Sequence, residues 1–169
     1  MKNRHASSRD HVSFATPMTL CTPWRTNPYN WWGARASSTV SFSAAEHTWA
    51  LVMALARNIA IEDRNMREGR WMTEDGFRLE GARLGVLGLG ALGSTVARYG
   101  NAFGMDVVAW SANLTQARAK ECGAKLVSKE ELLRASDVVT IHLKLSSRTE
   151  KLIGAREFAM MKPTAVLVN

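Results

Sequence analysis

Cysteine is nearly absent: Cys21 and Cys122 are the only two in 169 residues, and they lack CxxC spacing. That excludes a disulfide scaffold and a zinc ribbon, and leaves two reduced thiols in a cytoplasmic protein as the expectation, with no metal site. Long apolar runs are missing as well. No stretch approaches the roughly 18 apolar residues that a membrane-spanning helix needs, so no membrane partner is expected. The start, MKNRHASSRDH, is basic but is not followed by the apolar segment of a secretory leader. Acidic residues are also in short supply, 15 Asp and Glu against 22 Lys and Arg, a net charge of +7. Such an excess invites a nucleic-acid partner, but its distribution argues against one. Residues 1–42 hold five basic residues and one acidic, while residues 43–169 hold seventeen and fourteen with the signs interspersed. Interspersed signs make a solvated surface rather than a basic stripe.

What is present is a soluble globular composition, 46% hydrophobic and 22% charged, long enough for one domain with a sizeable core. Residues 1–42 show no helix or strand period. Pro23, Pro28 and Gly33 break up a segment rich in Trp24, Trp31 and Trp32, which reads as an irregular basic arm, foreign to the domain behind it. An aromatic–basic arm for stacking nucleic-acid bases is the alternative there. At Ser43 the character changes. Ser43 and Glu46 have capping-box spacing, and Trp49, Val52, Met53, Ala56, Ile59 and Ala60 mark one face of a long amphipathic helix over residues 44–67 ending near Gly69. Residues 69–81 form a connector, with Trp71, Phe77 and Leu79 as its expected anchors.

The stretch LGVLGLGALGSTVARYGNAFG, residues 84–104, orders the rest. An apolar strand runs into Gly88, Gly90 and Gly93, and a helical pattern of Leu92, Val96, Tyr99 and Phe103 begins at once. Strand, glycine turn and helix in that order make a dinucleotide-binding fingerprint. Gly88 permits the sharp turn, Gly90 lets a backbone approach a pyrophosphate, and Gly93 lets the helix sit close on the strand. The helix N-terminus then offers unpaired N–H groups to the phosphates. Further strands are expected at residues 106–110, 125–127, 137–143 and 164–168, with helices between them capped by Thr115 and Ser128. Right-handed crossovers turn this alternation into an α/β fold, a doubly wound, Rossmann-like parallel sheet of order 3-2-1-4-5. A ligand there lies beyond the strand C-termini, where Gly88–Gly93, Ser111, His142, Leu143 and Asn169 arrive.

With these pieces in place the sequence resembles the D-isomer-specific 2-hydroxyacid dehydrogenases, in their phosphoglycerate-dehydrogenase-like branch. The carriers are AEHTWALVMALARNI at residues 45–59, GRW at 69–71, LEGARLGVLGLGALGSTVARYGNAFGMDVVAW at 79–110, SDVVTIHLKLSSRTEKLIG at 136–154 and MKPTAVLVN at 161–169. Residues 1–42 carry no part of it, so the expected division is an unmatched segment 1–42 and a nucleotide-binding domain 43–169, incomplete on its C-terminal side. The resemblance implies interconversion of a 2-hydroxy acid and a 2-oxo acid with NAD, NADP remaining open. It implies a phosphate grip of Gly88, Gly90, Ala91, Leu92 and Gly93, with Leu143 and Thr149 lining the adenosine side. A helix-cap hydroxyl is the alternative for Thr149. Lys144 stands where the family has proline.

Ser111 occupies the end of the second strand, where NAD-selecting sites usually hold an acid, and no Arg comes immediately after it. Poor discrimination between NAD and NADP is therefore expected. The family's catalytic arginine and its Glu–His pair have no matching residues in this sequence, and His142, which belongs to the fourth-strand motif, is expected to be a packed strand-end residue. The resemblance thus implies a cofactor-binding fragment inactive alone. The alternative is a non-catalytic NAD-binding or dimerisation module, paired with itself or with an intact homologue through the helix 44–67. The fifth strand is expected to form an exposed apolar edge prone to self-association.

Overall fold

The computed structural model describes residues 39–169, with side chains from residue 43 onward. The expectations for residues 1–38 lie outside the described residues. Among the described residues five parallel strands form one sheet, preceded by two helices and joined by others: α1 (Thr39–Ala56), α2 (Ile59–Arg67), β1 (Arg83–Leu87), α3 (Ala91–Ala102), β2 (Asp106–Trp110), α4 (Gln116–Glu121), β3 (Lys125–Leu126), α5 (Lys129–Ala135), β4 (Val138–Ile141), α6 (Ala155–Met160) and β5 (Val166–Val168). The strand order is β3-β2-β1-β4-β5, as the crossover rule requires. β1 lies at the centre because its residues 84–87 are buried on both faces. Val86 pairs with Ala109 on one side and with Thr140 on the other.

The core has two parts. One gathers Val86, Val96, Ala97 and Val107 with Trp49 and Val52 of α1, and the other gathers Leu87, Val108 and Val139 with Leu132 and Leu133 of α5. Helix α1 thus packs into the same core as β1 and α3. Trp49 is buried, donates from Nε1 to the Val96 carbonyl at 3.3 Å and stacks on Phe103 with ring centroids 4.7 Å apart. The sheet's far end is tied by charge. Asp106 accepts from Arg83 Nε at 2.8 Å and from Lys125 at 2.9 Å, and Asp137 accepts from the Arg83 N–H at 2.8 Å and from Lys162 at 2.7 Å. The hydrogen bond from Lys125, helped by Arg83, holds the Asp106 carboxyl below its ordinary range. Burial works against the charge of Asp137, but Arg83 N–H and Lys162 outweigh it and lower that pKa too.

Several expectations are corrected here. The long helix starts at Thr39 rather than after Ser43, because extending a nucleated helix backwards adds a hydrogen bond per residue. It also divides. Asn58 is left-handed (φ 52°), and the Ala56 carbonyl, freed from the helix, accepts the N–H of Phe77 at 2.9 Å. Gly76 permits this crossing, since a Cβ there would lie 2.0 Å from the Ala56 oxygen. Beyond the break the face rotates, so Ile59 is 56% exposed and Ala60 is exposed as well. In the connector Phe77 and Leu79 are the anchors, whereas Trp71 is 76% exposed. On α3 the fully buried residues are Gly93, Val96, Ala97 and Gly100; of the expected pattern Leu92 and Tyr99 are half-buried against the core, and Phe103 is exposed. The closest approach of α3 to β1 runs along its small residues, and a Cβ on Gly100 would sit 2.5 Å from Leu84.

Candidate functional site

The sheet's C-terminal edge brings together the β1–α3 turn, the end of β2 and the loop after β4. The β1–α3 turn is set first. Gly88 has φ +97°, its N–H donates to the Trp110 carbonyl at 2.8 Å, and a Cβ on it would meet the His142 carbonyl and Leu143, each at 2.8 Å. Glycine is required there by dihedral and by space. Gly93 is required by space alone, because a Cβ would lie 1.9 Å from the Gly88 oxygen. Gly90 differs from both. Its φ is −78°, which any residue adopts, and a Cβ on it would touch none of the described residues within 4 Å. The fold itself does not ask for glycine at 90, which leaves open space in front of the backbone. Ala91, Leu92 and Gly93 begin α3, and their N–H groups have no carbonyl partner among the described residues, the first helical bond being Ser94 N–H to the Gly90 carbonyl at 2.9 Å. Such a helix start attracts an anion.

Beside this turn a cleft of about 350 Å³ opens between the end of β2 and the loop after β4. Ser111, Leu143 and Thr149 all line it, as do Lys144, Ser146 and Arg148. The expected adenosine-side residues therefore share one cleft. The Thr149 hydroxyl serves its own loop: it accepts the Ser146 N–H at 2.8 Å and donates to the Lys144 carbonyl at 2.7 Å. Thr149 thus works as a cap of a turn rather than of a helix. A larger depression of about 510 Å³ runs between α3 and the last turn of α4, but no residue of the described strands lines it, so it does not lie at the sheet's C-terminal edge.

His142 takes up the end of β4. Its N–H donates to the Leu87 carbonyl at 2.8 Å, and its Nε2 is buried with no hydrogen-bond partner among the described residues. Burial disfavours the imidazolium and lowers the pKa from 6.5 to about 4. The ring is neutral at pH 7, and it is the His142 carbonyl, with the Leu143 side chain, that walls the β1–α3 turn. No group of three or more His, Cys, Asp or Glu among the described residues could hold a metal ion.

The profile of the D-isomer specific 2-hydroxyacid dehydrogenase NAD binding domain matches residues 49–169. The chain belongs to that family. Within it, the chain is 43% identical over 136 residues to a glyoxylate reductase of Aeropyrum pernix, covering 75% of this chain and 41% of that protein. It is 40% identical over 131 residues to a D-3-phosphoglycerate dehydrogenase of Archaeoglobus fulgidus, covering 76% of this chain and 25% of the relative. Among solved structures, a D-lactate dehydrogenase from Aquifex aeolicus, complexed with NAD and lactic acid, superposes with a TM-score of 0.71 at 31% identity over 76% of this chain and 39% of that one. The chain therefore spans well under half the length of these relatives. It carries the family's NAD-binding domain, and members of the family are NAD-dependent oxidoreductases acting on CH–OH groups. The open backbone at Gly90 and the bare N–H groups of α3 fit a pyrophosphate.

The two cations of the cleft escaped the sequence reading. Lys144 registers there only as a departure from proline, and Arg148 does not register at all. A search for a cation just after Ser111 passes over both, because they come from the loop after β4. Strand order, not sequence distance, brings them to β2.

Proposed function

We propose that the chain is the cofactor half of a 2-hydroxyacid dehydrogenase. The turn Gly88–Gly93, including Ala91 and Leu92, grips the dinucleotide pyrophosphate, and Ser111, Leu143 and Thr149 line the adenosine side. The unit responsible is the domain read from residue 43 onward, in a protein of the cytoplasm. The single observation that carries this reading is Gly90, a glycine with ordinary φ and empty space in front of it. Neither folding strain nor internal packing accounts for it, whereas a close-approaching ligand does. Bound there, the nicotinamide supplies a hydride acceptor or donor. This chain's residues bind and orient: helix α3 stabilises the phosphate charge, and the His142 carbonyl with the Leu143 side chain walls the turn. Proton transfer to the substrate oxygen and a cation for its carboxylate are needed as well. No residue assigned to this site takes either role, so the chain alone binds NADH without turning over a 2-oxo acid.

Titration of the full chain with NADH, followed by energy transfer from tryptophan, tests the binding. Saturable binding without oxidation of NADH by glyoxylate or hydroxypyruvate is the expected outcome. Absence of binding, or sustained turnover, contradicts the proposal.

We infer in addition that α1 and α2 form a face for a second copy of the chain or for an intact homologue. Leu51, Leu55, Ile59 and Met66 are all exposed there, more apolar surface than scattered single residues account for.

A further inference from the structure

The cleft beside Ser111 has a chemistry that NAD binding does not use. Sites that select the unphosphorylated ribose place a carboxylate at the end of β2, where it holds the hydroxyls and repels a phosphate. Ser111 stands in that place, and no carboxylate among the described residues lines the cleft. Asp106, the acid of β2, sits at the strand's other end, held by Arg83 and Lys125. The cleft instead receives two cations, Lys144 and Arg148, and neither makes an ion pair among the described residues. Both come from one turn that is already built. The Thr149 hydroxyl joins the Lys144 carbonyl to the Ser146 N–H, and the N–H of Glu150 donates to the Ser146 carbonyl at 2.8 Å. A turn ordered before binding spares the ligand the entropy of ordering it. A phosphomonoester carries nearly two negative charges at neutral pH and is best met by such a pair, with Arg able to contact it bidentately.

We propose that Arg148 and Lys144, facing Ser111, receive the 2′-phosphate of a phosphorylated dinucleotide, so that this chain takes NADP at least as readily as NAD. The inference rests on the cofactor reading above. It adds a specificity set drawn from the loop after β4 rather than from the loop after β2. An alternative role for Arg148, stacking on the adenine ring, would strengthen both cofactors alike.

The test is the ratio of two affinities. The full chain is titrated with NADH and NADPH, and 2′,5′-ADP and 5′-AMP are compared as competitors. The expected NADPH affinity lies within threefold of that for NADH or above it, with 2′,5′-ADP the stronger competitor and NADPH the more salt-sensitive ligand. In R148E, checked for an unchanged circular dichroism spectrum, the NADPH-to-NADH affinity ratio should fall tenfold or more, and K144E should move it in the same direction. NADPH binding tenfold weaker than NADH in the unaltered chain overturns the inference without involving any variant. An R148E effect equal on both cofactors also overturns it, in favour of stacking. If neither cofactor binds, the cofactor reading itself has failed and this inference falls with it.

Discussion

Three glycines within six residues do three different jobs, and substitution separates them. Gly93→Ala drives a methyl into the Gly88 carbonyl, and should lower stability by roughly 2–3 kcal/mol, the scale of an overpacked core. Gly90→Ala places its methyl in open space, and should leave stability within about 0.5 kcal/mol. It should nonetheless weaken NADH binding about tenfold, or ~1.4 kcal/mol. Urea denaturation and NADH titration of the two variants give the comparison, and a Gly90→Ala chain that binds NADH normally would remove the main support for the pyrophosphate grip. His142 makes a second prediction at this scale. Its folded pKa of about 4 lies below the ordinary 6.5, so the unfolded chain binds the proton more readily. Stability is therefore full above pH 6.5 and declines as pH falls from 6.5 towards 4, by about 2 kcal/mol between pH 7 and pH 5. The urea midpoint at the two pH values measures this, and His142→Gln should flatten the difference. The lowered pKa values of Asp106 and Asp137 start from an ordinary 3.8, so their contributions are lost below this window.

At the scale of elements, most of the alternation was legible because each strand announces itself locally. The runs at 84–87, 106–110 and 137–143 are apolar, and Gly104 and Gly123, both with positive φ, end the helices α3 and α4. Thr115 and Ser128 cap as their spacing suggests, accepting the N–H of Arg118 and of Glu131. What the sequence hid was the break after Ala56. Nothing near Asn58 forbids a continuous helix, since the interruption depends on Phe77 arriving from the connector to take the Ala56 carbonyl. Two substitutions probe it. Asn58→Gly keeps the left-handed residue and should leave the thermal midpoint unchanged or slightly raised. Gly76→Ala blocks the crossing and should cost about 2 kcal/mol. Equal effects of the two would mean that the break is not held by that contact. Lys129 and Glu157, 3.0 Å apart, similarly join α5 to α6 across a distance that no local pattern reveals.

For the whole molecule, the sheet order was legible because handedness leaves few alternatives once five strands and their crossovers are known. The cleft was not, because it exists only where two loops distant in sequence are brought side by side by β1 and its two neighbours. The exposed faces of α1 and α2 give the prediction at this scale. Leu55 and Ile59 are 48% and 56% exposed, and replacing both with Glu should abolish self-association while the domain stays folded. Sedimentation velocity over a range of concentrations, alone and mixed with an intact homologue, checks it, and an unaltered chain that stays monomeric at high concentration and does not shift on mixing would dispose of the pairing proposal. No helix among the described residues is long and apolar enough to cross a membrane.

The central place of β1 has a kinetic consequence. All four strand pairings are parallel, so none can form as a hairpin, and each closes a loop that contains a helix. The pairing of Leu84 with Val138 closes the longest of these loops and joins the β1–β2–β3 half to β4 and β5. Loop-closure entropy makes that junction the natural bottleneck of folding. Refolding should be slow for a domain of this size. Until β4 docks, both the wall of the glycine turn and the loop bearing Arg148 are missing. The ability to bind a dinucleotide should therefore be recovered only in the last kinetic phase, after helix signal has returned.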